Sequence, residues 1–316
     1  MASSDNIGVY KSMEKYLITG GAGFIGSNLA DKLIEEGKEV LIIDNLSSGK
    51  KENINKKTSF FNLDICDFEK ILPVFRDVDY VFHLAAIPRV PVSILDPIGT
   101  SKTNILGTIN VFKAASDNNV KRVVFASSSS VYGNQSRLPL REDMIPDPIS
   151  PYGLQKLAGE KFAWLFFKLY GTSIVSLRYF NVYGPRINPD SEYSSVLGKF
   201  LKQKAKGEPL TVFGSGEQTR GFCYISDIVQ ANLKAMKSSE LKGGEVINAG
   251  SEDSNSVNFL AELVGGEVKY LEKREGDIEH SKADISQAKE LLGWHPEVSF
   301  EEGVKRTVEW FSQRSQ

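Results

Sequence analysis

The sequence predicts an α/β fold, a doubly wound parallel sheet followed by a smaller C-terminal α/β lobe. Three observations predict it. A short apolar run, Tyr16–Leu17–Ile18–Thr19, breaks into a glycine turn and then at once into a helical pattern. Strand and helix signals then alternate through the first half of the chain, which argues for parallel βαβ units. After Asn181 the texture changes: Pro185, Asn188, Pro189 and Asp190 mark a long irregular loop, and shorter elements follow.

The opening turn reads Gly20–Gly21–Ala22–Gly23–Phe24–Ile25–Gly26. Gly20 permits the tight turn, Gly23 lets backbone approach a pyrophosphate, and Gly26 allows close packing of helix on strand. Leu29 and Leu33 fall on one face of the helix, and Gly37 suits its C-terminal end. Glycine turns alone are common. Here the apolar run Val40–Leu41–Ile42–Ile43 ends in Asp44, near the spacing of about 20 residues at which a carboxylate meets the adenosine ribose. Asn45 and Leu46 follow, with no arginine set for a 2′-phosphate, so the expected cofactor is NAD rather than NADP.

Bulk properties narrow the classes. The chain of 316 residues carries a formal charge of −2, which leaves no electrostatic footprint for nucleic acid or an anionic membrane. No apolar run reaches transmembrane length and no signal peptide is visible. Cys66 and Cys223 are the only cysteines, far apart in sequence, so reduced thiols and a cytoplasmic location are expected. His83, His280 and His295 lack paired ligand spacing, so no metal is expected. No P-loop is present.

Taken in order, residues 1–12 read as a polar tail or expression remnant, and 13–180 as the Rossmann-type dinucleotide domain. That domain is expected to be completed by about 222–250, and 181–221 with 251–316 form the substrate lobe. Further strands are expected at Phe60–Leu63, Tyr80–Ala86, Arg122–Ala126 and Ser173–Arg178. A helix placing Ile105, Ile109 and Phe112 on one face lies between the second and third of these strands. The lobe carries helices at Val196–Lys204, Ile228–Met236 and Val257–Val264, and strands at Leu210–Phe213, Val246–Asn248 and Val268–Tyr270. Two helices end the chain.

Chemistry concentrates on one helix start. Ser150 suits the N-cap and Pro151 the first helical position. Tyr152 and Lys156 then share a face. An ammonium beside a phenol favours the phenolate, which makes Tyr152 a candidate general base. Tyr-x-x-x-Lys by itself is most often a surface pair. The run Ser127–Ser128–Ser129–Ser130, at the end of a sheet strand facing the same crevice, adds a hydroxyl for the reacting oxygen.

At these residues the chain resembles the extended short-chain dehydrogenase/reductase family, and within it the nucleotide-sugar 4-epimerases. The resemblance runs from Met13 to the C-terminus. It rests on the glycine turn, His83–Leu84–Ala85–Ala86, Asn104 in Asn-Ile-Leu-Gly-Thr, Ser128, and Tyr152 with Lys156. Arg178 to Arg186, Gln218–Thr219–Arg220 and Arg274–Glu275–Gly276–Asp277 carry it into the lobe. It implies that Gly20, Gly23, Phe24, Ile25, Asp44, Asn45, Leu46, Ser47, Gly49, Asp64, Ile65, Leu84, Ala85, Ala86, Asn104, Ser127, Tyr152, Lys156, Tyr179 and Phe180 contact NAD. Asp64 would reach the adenine, and Lys156 the nicotinamide ribose. Ser128, Tyr152, Asn181, Val196, Thr211, Phe213, Arg220, Arg274, Asp277 and Ser281 would hold a UDP-hexose or UDP-N-acetylhexosamine. Arg178 reads as a scaffold ion pair, and a homodimer through a four-helix bundle is implied. The implied reaction is transient oxidation at C4 and return of hydride to the other face, with Ser128, Tyr152 and Lys156 as the catalytic group.

Two departures choose within the resemblance. Related dehydratases and decarboxylases place an acid after the catalytic hydroxyl, where this chain has Ser129 and Ser130. Enzymes selective for non-acetylated UDP-glucose place Lys where Pro88 stands and Tyr where Ser281 falls, so a wider sugar pocket that accepts N-acetylated substrates is expected. Other readings remain: a dehydratase, decarboxylase, or C5 or C2 epimerase; a carbonyl reductase that releases NADH; or a non-catalytic NAD-binding protein.

Overall fold

The computed structural model describes residues 13–88, 90–189, 195–273 and 280–314. The first half builds β1 (Lys15–Thr19), α1 (Phe24–Glu35), β2 (Glu39–Ile43), β3 (Ser59–Phe61), α2 (Phe68–Ile71), β4 (Tyr80–His83), α3 (Val90–Leu95) and α4 (Pro97–Ser101). Then come α5 (Thr108–Asp117), β5 (Arg122–Ser128), α6 (Pro151–Tyr170) and β6 (Ile174–Tyr179). The second half holds β7 (Val182–Tyr183), α7 (Val196–Ala205), β8 (Leu210–Phe213), β9 (Thr219–Arg220), β10 (Cys223–Tyr224), α8 (Ile225–Lys237) and β11 (Val246–Ala249). It ends with β12 (Asn255–Ser256), α9 (Val257–Val264), β13 (Val268–Leu271), β14 (His280–Ser281), α10 (Ser286–Leu292) and α11 (Phe300–Arg314).

The main sheet has seven strands in the order β11-β6-β5-β4-β1-β2-β3, all parallel. The order reverses between β1 and β4, which opens a crevice at their carboxyl ends where such sheets bind ligands. Side chains alternate between two cores, as a strand requires. Tyr16, Ile18, Ile42, Phe82 and Val124 pack with Leu29 and Leu33 of α1 and with Ile228 and Ala231 of α8. Leu17, Leu41, Val81, Val123 and Phe125 pack on the other side with Val111, Phe112 and Ala115 of α5 and with Ala163 and Phe166 of α6.

Three details differ from the sequence reading. β4 stops at His83 rather than Ala86, because Leu84 to Ile87 leave the sheet to form the crevice floor. The helix expected to bury Ile105 and Ile109 instead opens with a π-turn, Lys102–Gly107. The wider turn rotates the buried face, so Asn104, Thr108, Val111, Phe112 and Ala115 point inward while Ile105 and Ile109 stay half-buried. The strands expected at Leu210, Val246 and Val268 are present, but five further strands were not expected: β7 with β10, and β12 with β9 and β14, pair over two residues each.

Candidate active site

The glycine turn is shaped by contact. Gly20 has φ +77, and a Cβ there would lie 2.7 Å from Ala85 N. A Cβ on Gly26 would lie 2.3 Å from Gly20 O, so helix and strand pack at a distance only glycine allows. At Gly23 such an atom would meet only Gly20 O, at 3.2 Å. No side chain caps α1 at Gly23, and its first turn, Phe24 to Gly26, lines the cleft. This leaves helix N-terminal donors facing the crevice, a ready site for a pyrophosphate. Asp44 closes the turn from β2: one carboxylate oxygen accepts from Ala22 N at 2.9 Å, the other from Leu46 N at 2.8 Å. Burial raises its pKa, and those two amides oppose the rise.

A single cleft of about 600 Å³ runs from this turn along the strand ends. Asn45, Ser47, Asp64 and Ile65 line one end; Leu84, Ala85 and Ala86 line the floor. Ser127, Ser128, Tyr152, Lys156, Tyr179 and Asn181 line the other end. Of the residues expected to touch NAD, Leu46, Gly49, Asn104 and Phe180 are not part of this lining. Asn104 is held by its neighbours. It is 1% exposed; its Oδ1 accepts from Ile87 N at 2.8 Å and its Nδ2 donates to Ile87 O and Gln155 Oε1. It therefore supports the Leu84–Ile87 floor from below, placed there by the rotated π-turn.

The catalytic candidates converge. α6 starts as its sequence dictates, with Ser150 Oγ accepting from Gly153 N at 3.1 Å. A residue the sequence reading missed, Ser93, accepts from Tyr152 N at 3.0 Å and fixes the start of the helix against α3. Lys156 is 3% exposed; its Nζ donates to Ala126 O at 2.7 Å and lies 5.9 Å from the Tyr152 ring centre. Burial pushes this ammonium down to about 7, and the Glu160 carboxylate opposes that drop. Ser128 Oγ accepts from Ser130 N at 3.1 Å and donates to Ser130 Oγ at 3.0 Å, so the serine run holds its own hydroxyl at the cleft edge.

Behind them sits a buried ion pair. Glu160 accepts from Arg178 Nε at 2.8 Å and Nη2 at 2.7 Å, and from Ser127 Oγ at 2.5 Å. Arg178 also stacks 4.5 Å from the Tyr132 ring centre. Arg178 is thus a scaffold ion pair, as its sequence position suggested. Glu160 was missed, though Tyr152, Lys156 and Glu160 repeat at one-turn spacing and so share one helix face.

The expected substrate residues scatter. Of them, Ser128, Tyr152 and Asn181 line the cleft, Asn181 at φ +33 with its Nδ2 donating to Gly221 O at 3.3 Å. Val196 begins α7. Thr211 Oγ1 and N bond the Gln203 side chain, Phe213 lies under Lys199 Nζ at 4.7 Å, and Arg220 pairs with Ser281 between β9 and β14. Ser281 is 7% exposed. Arg274 and Asp277 lie outside the described residues. Among the described residues no group of three His, Cys, Asp or Glu could hold a metal ion, and no helix is long and apolar enough to cross a membrane.

The NAD dependent epimerase/dehydratase family, Epimerase, matches residues 16–250. The chain belongs to this family. It has the family's α/β fold, with a seven-stranded parallel sheet, and its cofactor is NAD. The chain is 41% identical over 309 residues to the putative UDP-glucose 4-epimerase of Methanocaldococcus jannaschii, spanning 95% of this chain and 99% of that one. It is 41% identical to the UDP-glucose 4-epimerase of Thermotoga maritima solved with UDP-glucose, with TM-score 0.91 over 96% of this chain and 100% of the other. It is 40% identical to the UDP-N-acetylglucosamine 4-epimerase of Methanobrevibacter ruminantium in complex with UDP-N-acetylmuramic acid, with TM-score 0.89 over 96% and 99%.

Proposed function

We propose that the protein is an NAD-dependent isomerase that inverts C4 of a UDP-hexose, UDP-glucose or UDP-N-acetylglucosamine. One observation carries the reading: a single cleft joins the uncapped glycine-turn helix to Ser128, Tyr152 and Lys156. The first end fits a dinucleotide diphosphate; the second fits proton transfer at a sugar hydroxyl. Bound NAD would supply the hydride acceptor and donor. The chain's own residues do the rest. The Lys156 cation favours the phenolate of Tyr152, whose Oη takes the proton of the C4 hydroxyl. Ser128 Oγ hydrogen-bonds the same oxygen. After the 4-keto sugar has turned over in the cleft, Tyr152 returns the proton to the inverted alcohol.

The names of the similar enzymes support this reading, as do Ser129 and Ser130 in place of an acid that would promote elimination. The nucleoside diphosphate is assigned to Asn181, Val196, Thr211, Phe213, Arg220, Arg274 and Asp277, and the breadth of the sugar pocket to Ser281. Leu154, Trp164, Leu165 and Leu169 of α6 are exposed apolar side chains, which supports a homodimer through that helix. Both cysteines are free thiols, which supports a cytoplasmic location.

The test is to incubate the protein separately with UDP-glucose, UDP-N-acetylglucosamine and UDP-glucuronate and identify the products. The C4 epimers of the first two, with no net NADH, are expected. A 4-keto-6-deoxy sugar, a pentose or accumulating NADH would replace the reading with dehydration, decarboxylation or simple reduction.

A further inference from the structure

On the side of α1 turned away from the sheet, one carboxylate joins two loops. Asp31 Oδ1 accepts from Asn55 Nδ2 at 2.7 Å, and Oδ2 accepts from Arg186 Nη2 at 2.5 Å. A helical turn earlier, Asn28 Nδ2 donates to Pro185 O at 3.2 Å. The loop of Asn55 belongs to the cofactor side. Its neighbour Asn53 donates to Ala22 O in the glycine turn at 3.2 Å, and Lys50 N donates to the same oxygen at 3.0 Å. Asn45, Ser47 and Ser48 of that stretch line the cleft.

The loop of Arg186 belongs to the opposite wall. Asn181, Val182, Ile187 and Asn188 line the cleft from it. Its backbone is unusual: Asn181 has φ 33 and Arg186 φ 72, both non-glycine residues in the left-handed region. Such conformations persist only where the surroundings hold them. One end is held by the lobe, since Asn181 Nδ2 donates to Gly221 O and Cys223 N donates to Asn181 O, each at 3.3 Å. The other end is held by α1, through Pro185 and Arg186.

We infer that Asp31 is a positioning residue, which sets the strap 181–188 against the cofactor helix and so holds the substrate-side wall of the cleft in register with the cofactor side. The inference rests on the proposed function in taking Asn181 and its neighbours as the sugar-nucleotide wall. Asp31 and Arg186 are not among the residues that line the cleft. Their pair acts only through the strap, and Asn55 serves as an internal comparison because it shares the carboxylate without touching the strap.

The experiment measures UDP binding by calorimetry, NAD content, and kcat and KM for the sugar nucleotide, in Arg186→Ala, Asn55→Ala and the exchange Asp31→Arg with Arg186→Asp. Arg186→Ala should weaken UDP binding and raise KM about tenfold, with kcat within about twofold and NAD content unchanged. Asn55→Ala should leave UDP binding as it was. The charge exchange should bring UDP affinity back to within about threefold of the parent. If Arg186→Ala does not fold, Arg186→Lys, which keeps the charge without the planar fork, should show the same KM rise in smaller degree. Unchanged UDP affinity in both Arg186 variants would overturn the inference. So would a loss that the exchange does not recover. A parent protein that binds UDP but does not epimerise would sink the proposed function while leaving this arm intact.

Discussion

The two walls of the cleft are made in different ways. The cofactor wall is built from consecutive residues: one strand, one glycine turn and one helix start, with Asp44 arriving from the next strand. The substrate wall is assembled from pieces far apart in the chain. Ser128 at the end of β5, Tyr152 on α6 and the strap carrying Asn181, Val182, Ile187 and Asn188 line it, and the lobe closes through two-residue pairings of β9 with β14 and with β12. A local motif can carry a binding surface within it, whereas a wall closed by two-residue pairings exists only once the whole chain has folded. The first should respond to mutation by losing affinity or stability as a unit. The second should respond by changing preference.

The sharpest break falls where the walls meet. Tyr152→Phe should lower turnover by about a thousandfold or more, in the range of a lost general base, with NAD content and UDP affinity retained. Near-parental epimerisation by that variant would remove Tyr152 from the role given to it. Next is the scaffold behind the cofactor wall. Glu160→Gln leaves Arg178, 3% exposed, without its carboxylate. Breaking a buried pair in this way costs about 3–5 kcal/mol, so chemical denaturation should show a stability loss of that order. A loss below about 1 kcal/mol would mean that solvent reaches the pair.

A smaller effect concerns pH. In the folded protein burial holds the Lys156 ammonium down to about 7, while in the unfolded chain it keeps its proton to about 10.4. Between those values the unfolded state binds more protons, so this group makes stability rise with pH across that window. Lys156→Met removes the effect. It should be more stable than the parent at and below pH 7, with the gap closing as pH approaches 10. A constant gap across that range would show that Lys156 does not titrate there. The smallest change is expected in the lobe. Ser281→Tyr should spare UDP-glucose and disfavour UDP-N-acetylglucosamine, read as a ratio of kcat/KM values. An unchanged ratio would place the acetamido discrimination elsewhere in the lobe.

The same contrast explains what could be read from the sequence. β1, α1 and β2 were legible because apolar period, glycine turn and Asp44 lie within one short stretch. Tyr152, Lys156 and Ser128 were legible because capping and spacing place them without any knowledge of the lobe. The burial of Ile105 and Ile109 was misjudged because the π-turn at 102–107 rotates the face of the helix it opens, and nothing in Lys-Thr-Asn-Ile-Leu-Gly announces a wider turn. Ser93 and Glu160 act through neighbours on other elements, Tyr152 N for one and Arg178 for the other, so their partners appear only in three dimensions. Thr211, Phe213 and Arg220 could be named from resemblance, but their strands are too short for periodicity to orient them.

The placement of β11 has a consequence for how the protein is made. This outermost strand comes from Val246–Ala249, after the chain has already left the sheet and built part of the lobe, yet it pairs with β6 along the full register from Ser176 to Tyr179. During synthesis the ribosome releases β6 long before its last partner exists. Until then, a run of buried-type residues ending in Tyr179 presents an open hydrogen-bonding edge that another nascent chain could occupy. A protein stopped short of Val246 should therefore be recovered in inclusion bodies rather than as a smaller folded dinucleotide domain.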